Sequence, residues 1–120
     1  MEVPKIFESE YRFCLIVWEK EPVNSGKLVE LARERLGWTK ATTYTVIRRL
    51  CQRGVLKNEK AIVSSLVSKE EAQHSRLEEM MKETFEDSMP AFLAAFSRDR
   101  KLTRQEVSQL KELIDRYEED

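Results

Sequence analysis

Near the start of the chain, apolar residues return at three- and four-residue steps. Phe7, Tyr11, Cys14, Leu15 and Trp18 fall on one stripe, which predicts a helix from about Glu8 to Lys20, stopped by Pro22. Asn24 is a good N-cap for a second helix, Ser25 to about Leu36, with Leu28, Leu31, Ala32 and Leu36 on its apolar side and Gly37 as the stop. Thr39 caps a third, Lys40 to Gln52, closed by Gly54. In it Val46, Ile47, Leu50 and Cys51 face inward, while Lys40, Thr42, Thr45, Arg48 and Arg49 lie largely outside. Beyond Gly54 the period changes: Val55-Leu56 and Ala61-Ile62-Val63 flank a charged turn, Lys57-Asn58-Glu59-Lys60, and predict a small β-hairpin.

Ser68-Lys69-Glu70-Glu71 has capping-box spacing, so a fourth helix starts there and runs to the Ser88-Met89-Pro90 region or, kinked, through Phe96. Its stripe is Leu77, Met80, Met81, Phe85, Met89, Phe92, Leu93 and Phe96. A second capping box, Thr103-Arg104-Gln105-Glu106, with Leu102 and Val107 as a hydrophobic staple, opens a final helix carrying Val107, Leu110, Leu113, Ile114 and Tyr117. The fold class expected is mainly α: a winged helix-turn-helix of three helices and a short β-hairpin over residues 1–66, then a C-terminal helical dimerisation unit over 67–120. In such a fold the third helix enters the major groove and the hairpin lies beside the backbone.

The charge supports that division. The whole chain carries −1, but up to Leu66 there are 12 Lys and Arg against 8 Asp and Glu, and beyond it 9 against 14. Between Arg33 and Lys60 there are eight basic residues and two acids. This is either a solvated face or an electrostatic footprint for phosphates. The residue types suit the second use: Thr42, Thr45 and Arg48 as base readers, Lys40, Tyr44, Arg49 and Arg53 on phosphates, and Ala41, Lys57 and Lys60 completing the DNA-binding set. The two C-terminal stripes can hardly close a core alone. They predict a homodimer, with Leu77, Met81, Phe85, Phe92, Leu110 and Ile114 at its interface, reading a palindromic double-stranded operator.

Enzyme chemistry finds no support. The chain has no HExxH, GxSxG or CxxC sequence and no Gly-rich phosphate loop, and no catalytic residue, cofactor or metal is expected. Cys14 and Cys51 sit in apolar helical patterns and read as buried free thiols, and His74 as an exposed residue. No run of about 18 apolar residues is present, and the first residues lack the basic and apolar regions of a secretory signal, so the expected location is cytoplasmic.

The third helix carries a resemblance. Trp18-Glu19-Lys20-Glu21-Pro22-Val23, Trp38-Thr39-Lys40-Ala41-Thr42-Thr43-Tyr44-Thr45-Val46-Ile47-Arg48-Arg49-Leu50, Gly54-Val55-Leu56, Leu66-Val67-Ser68-Lys69-Glu70-Glu71, Ala94-Ala95-Phe96 and Lys101-Leu102-Thr103 together resemble the penicillinase and methicillin-resistance repressor family. The resemblance implies a homodimeric winged-helix repressor of β-lactam-resistance genes. It also implies a membrane sensor protease as signalling partner and release by cleavage in the dimerisation region. The cleaved Asn-Phe pair of the family aligns with Ala95-Phe96, Phe7 stands where the family carries Ser or Thr, and the wing between Leu56 and Val67 is about four residues short, without the Gly-Arg tip. The alternative functions are a winged-helix protein-interaction module and a repressor answering another signal without proteolysis.

Overall fold

The computed structural model describes residues 2–118. They divide after Leu77 into two compact units. The first contains α1 (Glu8–Lys20), β1 (Val23–Asn24), α2 (Ser25–Leu36), α3 (Lys40–Gln52), β2 (Leu56–Glu59), β3 (Ile62–Ser65) and the first turns of α4 (Lys69–Phe85). The second holds the rest of α4, then α5 (Met89–Phe96) and α6 (Arg104–Arg116).

The caps that the sequence supplies set the helix ends. Asn24 Oδ1 accepts from Gly26 N at 2.8 Å to open α2, and Gly37, at φ 72°, closes it in the left-handed conformation that glycine adopts without strain. Thr39 Oγ1 accepts from Thr42 N at 3.1 Å to open α3. The three helices close on a core of Phe13, Cys14, Val17, Leu28, Ala32, Ile47 and Leu50, with Val55, Leu56 and Val63 from the sheet side. Phe13 stacks on Trp38, ring centroids 5.4 Å apart.

The stripe expected on α1 is rotated. Phe13, Ile16 and Val17 face the core together with Cys14, whereas Leu15 and Phe7 are exposed. The run Phe13–Trp18 is apolar at all six positions, so its period cannot select a phase; contact with α2 and β3 does. The hairpin turn also moves. Glu59 pairs with Ile62, so Lys57 to Glu59 extend β2 and the turn is Lys60-Ala61, both at positive φ (53° and 67°). A two-residue turn with this twist matches the strands but favours Asn and Gly. Ala61→Gly should therefore stabilise the chain by about 0.5–1 kcal/mol, as an upward shift of the urea midpoint, because it removes a Cβ from the left-handed region.

A third strand, absent from the sequence reading, completes the sheet in the order β1-β3-β2, Val23 pairing with Val63. Two residues are too few for a period. Around it, Ser65 N and Oγ donate to the Glu21 carboxylate at 2.7 and 2.8 Å, and Trp18 Nε1 donates to Val67 O at 3.0 Å. These bonds fasten the chain leaving the hairpin to α1. Ala72 of α4 is buried in the same core, Arg76 pairs with Glu8 at 2.8 Å, and its guanidinium lies 3.9 Å from the Tyr11 ring centroid. The first two turns of α4 thus belong to the first unit.

In the second unit α4 ends at Phe85 because Glu86 and Asp87 turn to positive φ (50° and 61°), and Ser88 then caps α5, accepting from Ala91 N at 3.1 Å. Pro90 sits in the first turn of α5, where its missing N–H costs nothing. Phe85 meets Phe92 edge-on at 5.5 Å. A groove of about 370 Å³ lies between α5 and α6, lined by Phe92, Leu93, Phe96, Leu102, Leu110 and Leu113 among others.

Both predicted capping boxes form: Ser68 with Glu71, and Thr103 with Glu106. The backbone N–H of Ser68, and that of Thr103, hold these two carboxyls below their ordinary value of 4.5. A carboxyl depressed in the folded state stabilises it above the unfolded pKa, and the contribution is lost as pH falls through the folded value. Melting temperatures should accordingly drop as pH goes from about 5 towards 3. The double variant Glu71→Gln/Glu106→Gln, which keeps the box geometry without the charge, should show a shallower fall; an unchanged slope would show that other carboxylates control acid stability.

Candidate nucleic-acid interface

The helix that carries the candidate readers is anchored on one side and open on the other. Thr43, Val46, Ile47 and Leu50 are its buried row. Thr43 was missed as a core residue because its hydroxyl looks polar in sequence; in the structure it is fully buried and donates to Thr39 O at 2.9 Å. At 100° per residue the opposite row is Ala41, Thr45, Arg48 and Gln52, with Thr42 and Arg49 on one flank and Tyr44 on the other. Lys40, Ala41, Thr42, Tyr44, Arg48, Arg49 and Gln52 are exposed and Thr45 is half-buried. Gln52 was not among the sequence candidates, although its position one turn beyond Arg48 marks it.

Electrostatically this face is uncommitted. Arg35 pairs with Glu19 at 2.8 Å, lowering the Glu19 carboxyl pKa, and Lys27 lies 3.5 Å from Glu30. Among the described residues no ion pair involves Lys40, Arg48 or Arg49. Their charge is available to an outside partner, and an exposed run of cations beside hydroxyls and an amide suits phosphates and base edges.

Arg53 is placed elsewhere. Its guanidinium is ion-paired with the buried Glu10, donates to Lys5 O at 2.7 Å and lies 5.3 Å from the Phe7 ring centroid. In place of the phosphate contact expected from the sequence, Arg53 forms an internal clamp between the end of α3 and the start of α1. Phe7 opens α1 without a side-chain cap of its own, and Glu10 Oε1 accepts from Phe7 N at 2.9 Å instead.

The hairpin presents Lys57 and Lys60, both exposed, with Lys57 Nζ 3.6 Å from Glu59 Oε1. It is tethered at its tip: Ser25 N, the first residue of α2, donates to Ala61 O at 2.8 Å.

Of the residues expected at a subunit interface, Leu77 and Ile114 are exposed, Phe85, Phe92 and Leu110 are half-buried, and Met81 is already buried within one chain. Ala95 and Phe96 are exposed at the end of α5. Cys14 is buried, its thiol pushed up to about 12 first by desolvation and then by Glu10, whereas Cys51 is only partly buried, not fully as expected. Among the described residues no helix is long and apolar enough to cross a membrane, and no group of three or more His, Cys, Asp and Glu is placed to hold a metal.

The family model described as "Penicillinase repressor" matches residues 6–116. The chain belongs to the penicillinase repressor family. A relative from Latilactobacillus sakei, the "Uncharacterized 16.5 kDa protein in ptsI 3'region", is 31% identical over 92% of this chain and 78% of its own length. The methicillin resistance regulatory protein MecI of Staphylococcus aureus (strain Mu50 / ATCC 700699) is 20% identical over 93% of this chain and 94% of its own. As a penicillinase repressor family member the chain is a DNA-binding transcriptional repressor and not an enzyme, and its winged helix followed by C-terminal helices is the fold the sequence predicted.

Proposed function

We propose that the chain acts as a homodimer that occupies a palindromic operator and blocks transcription by that occupancy. The observation that carries this reading is the outer face of α3, where Arg48 and Arg49, with Lys40 in the first turn, have no ion pair among the described residues, while Arg35, Arg53 and Lys27 do. On this reading Thr42, Thr45 and Arg48 meet base edges, with Ala41 close enough to touch a thymine methyl, and Lys40, Tyr44 and Arg49 take phosphates. Lys57 and Lys60 on the tethered hairpin add backbone contacts. Arg53 leaves the contact set, since its guanidinium serves Glu10.

Residues 1–66 are then the DNA-binding part, braced by the first turns of α4, and 67–120 the dimerisation part, with Leu77, Phe85, Phe92, Leu110 and Ile114 at or near the seam and Met81 supporting it from within the chain. Release comes from proteolysis at Ala95-Phe96, signalled by a membrane sensor protease in a cytoplasmic antibiotic-resistance circuit. In support, Ala95 and Phe96 are both exposed at the end of α5, where helix ends open most readily.

The test begins with duplex DNA selected by the full chain from a randomised pool. On the enriched site Thr45→Ala should weaken binding by about 1–3 kcal/mol while leaving random DNA unaffected. Arg49→Ala should weaken both alike and lower the salt slope by about 1. A pool that shows no enrichment, with a specificity ratio far below about 1,000, would point instead to a winged domain used for protein contacts.

A further inference from the structure

The start of α3 holds a hydroxyl pair whose polarity is set by the helix itself. Thr39 Oγ1 accepts from Thr42 N at 3.1 Å and lies 3.0 Å from Thr42 Oγ1, to which it donates. An oxygen that has accepted an N–H is a stronger donor through its own proton, so the favoured chain runs from Thr42 N–H to Thr39 Oγ1 and from Thr39 O–H to Thr42 Oγ1. Thr42 Oγ1 then spends an acceptor site on Thr39, and its own proton must go elsewhere. Thr42 is exposed, and no acceptor within the chain takes that proton among the described hydrogen bonds. Thr43 cannot substitute for it, being fully buried with its hydroxyl given to Thr39 O.

We infer that Thr42 reads DNA as a hydrogen-bond donor, held in that polarity by Thr39, and so selects a base presenting an acceptor in the major groove at one operator position. This rests on the repressor reading above and adds to it the direction of one contact. The acceptors available are N7 or O6 of guanine, N7 of adenine and O4 of thymine; cytosine offers its amino donor and is the base discriminated against. With its second lone pair Thr42 Oγ1 could still accept from the cytosine amino group, but only by leaving its own proton without a base partner, whereas a hydroxyl free to rotate would serve either kind of base alike. Thr39 is accordingly a positioning residue and Thr42 the one that touches the base.

The experiment compares four variants of the full chain with the parent on a pool randomised across the enriched operator. Thr42→Val removes the hydroxyl at constant shape, and Thr42→Ser keeps it. Thr39→Asn keeps a good cap through its amide oxygen, accepting from Thr42 N, but that oxygen also invites the Thr42 proton and reverses the pair. Thr39→Ser keeps both functions. The parent should disfavour cytosine at one position by about two- to tenfold, the range of a single net hydrogen bond. Thr42→Val and Thr39→Asn should both lose that discrimination, and both serine variants should retain it. The melting temperature and salt slope of Thr39→Asn should match the parent, a combination that a purely structural role for Thr39 would not produce.

Four results would overturn the inference. Unchanged cytosine discrimination in Thr39→Asn would show that Thr39 does not set the polarity. Uniform loss of affinity over all sequences in Thr42→Val, at an unchanged salt slope, would place Thr42 on a phosphate. Enrichment of a clear operator without a position sensitive to Thr42 would leave the repressor reading standing and remove this contact from it, whereas no enrichment at all would remove both.

Discussion

Arg53→Ala should destabilise the first unit by about 3 kcal/mol, read as a lower urea midpoint at unchanged slope. Truncation leaves the Glu10 carboxylate, 6% exposed, without its counter-charge, and it also strips Lys5 O of a donor and the Phe7 ring of one of the two cations that lie over it. Breaking a buried ion pair from one side costs more than the pair contributes, because the remaining charge must be desolvated alone. The loss falls at the lower end of the usual range since the Arg53 side chain keeps 28% of its surface in water. If the charge imbalance is the cause, the double variant Glu10→Gln/Arg53→Met should recover most of the stability, as the amide still accepts from Phe7 N. A variant that kept its midpoint and instead lost affinity for all DNA equally would return Arg53 to the phosphate contacts.

That residue also marks where sequence reading stops. Helix ends were legible because they are local chemistry: Asn24, Thr39, Ser68 and Thr103 bond to amides two or three residues away, and the boundaries of α1, α2 and α3 agree with expectation. What depends on distant partners was not legible. Arg53 finds Glu10 from 43 positions away, and Val23 becomes a strand only because Val63 returns beside it. Neither event leaves a trace in local spacing. The phase of α1 was ambiguous for a different reason, since six consecutive apolar residues fit a stripe in any rotation. The outer face of α3 was legible because its buried row is narrow and its exposed positions are polar apart from Ala41. Gln52 was missed as the last residue of the pattern, and Thr43 because only a hydrogen bond to Thr39 O makes a hydroxyl tolerable in the core.

Ile114→Asp should give monomers in sedimentation velocity and reduce operator affinity by about 10²–10⁴-fold, with the circular dichroism of the free chain unchanged. A dimer engages its second half-site at high effective concentration, so losing the partner forfeits that gain even though every α3 contact survives. Ile114 is the informative position because it is 59% exposed in the single chain, on the same helix as Leu113 and one turn before the C-capping Tyr117, which are 46% and 75% exposed. Apolar side chains this exposed on one short helix are what the proposed dimer seam would cover. A charge placed there opposes burial against a second chain but asks nothing of the chain's own packing. Phe85→Asp would not separate the two effects, since Phe85 is half-buried and meets Phe92 at 5.5 Å where α4 gives way to α5. Met81, 9% exposed, has the same difficulty. If Ile114→Asp remains a dimer with full operator affinity, the seam does not run along α6, and the exposed Met89 of α5 becomes the next residue to charge.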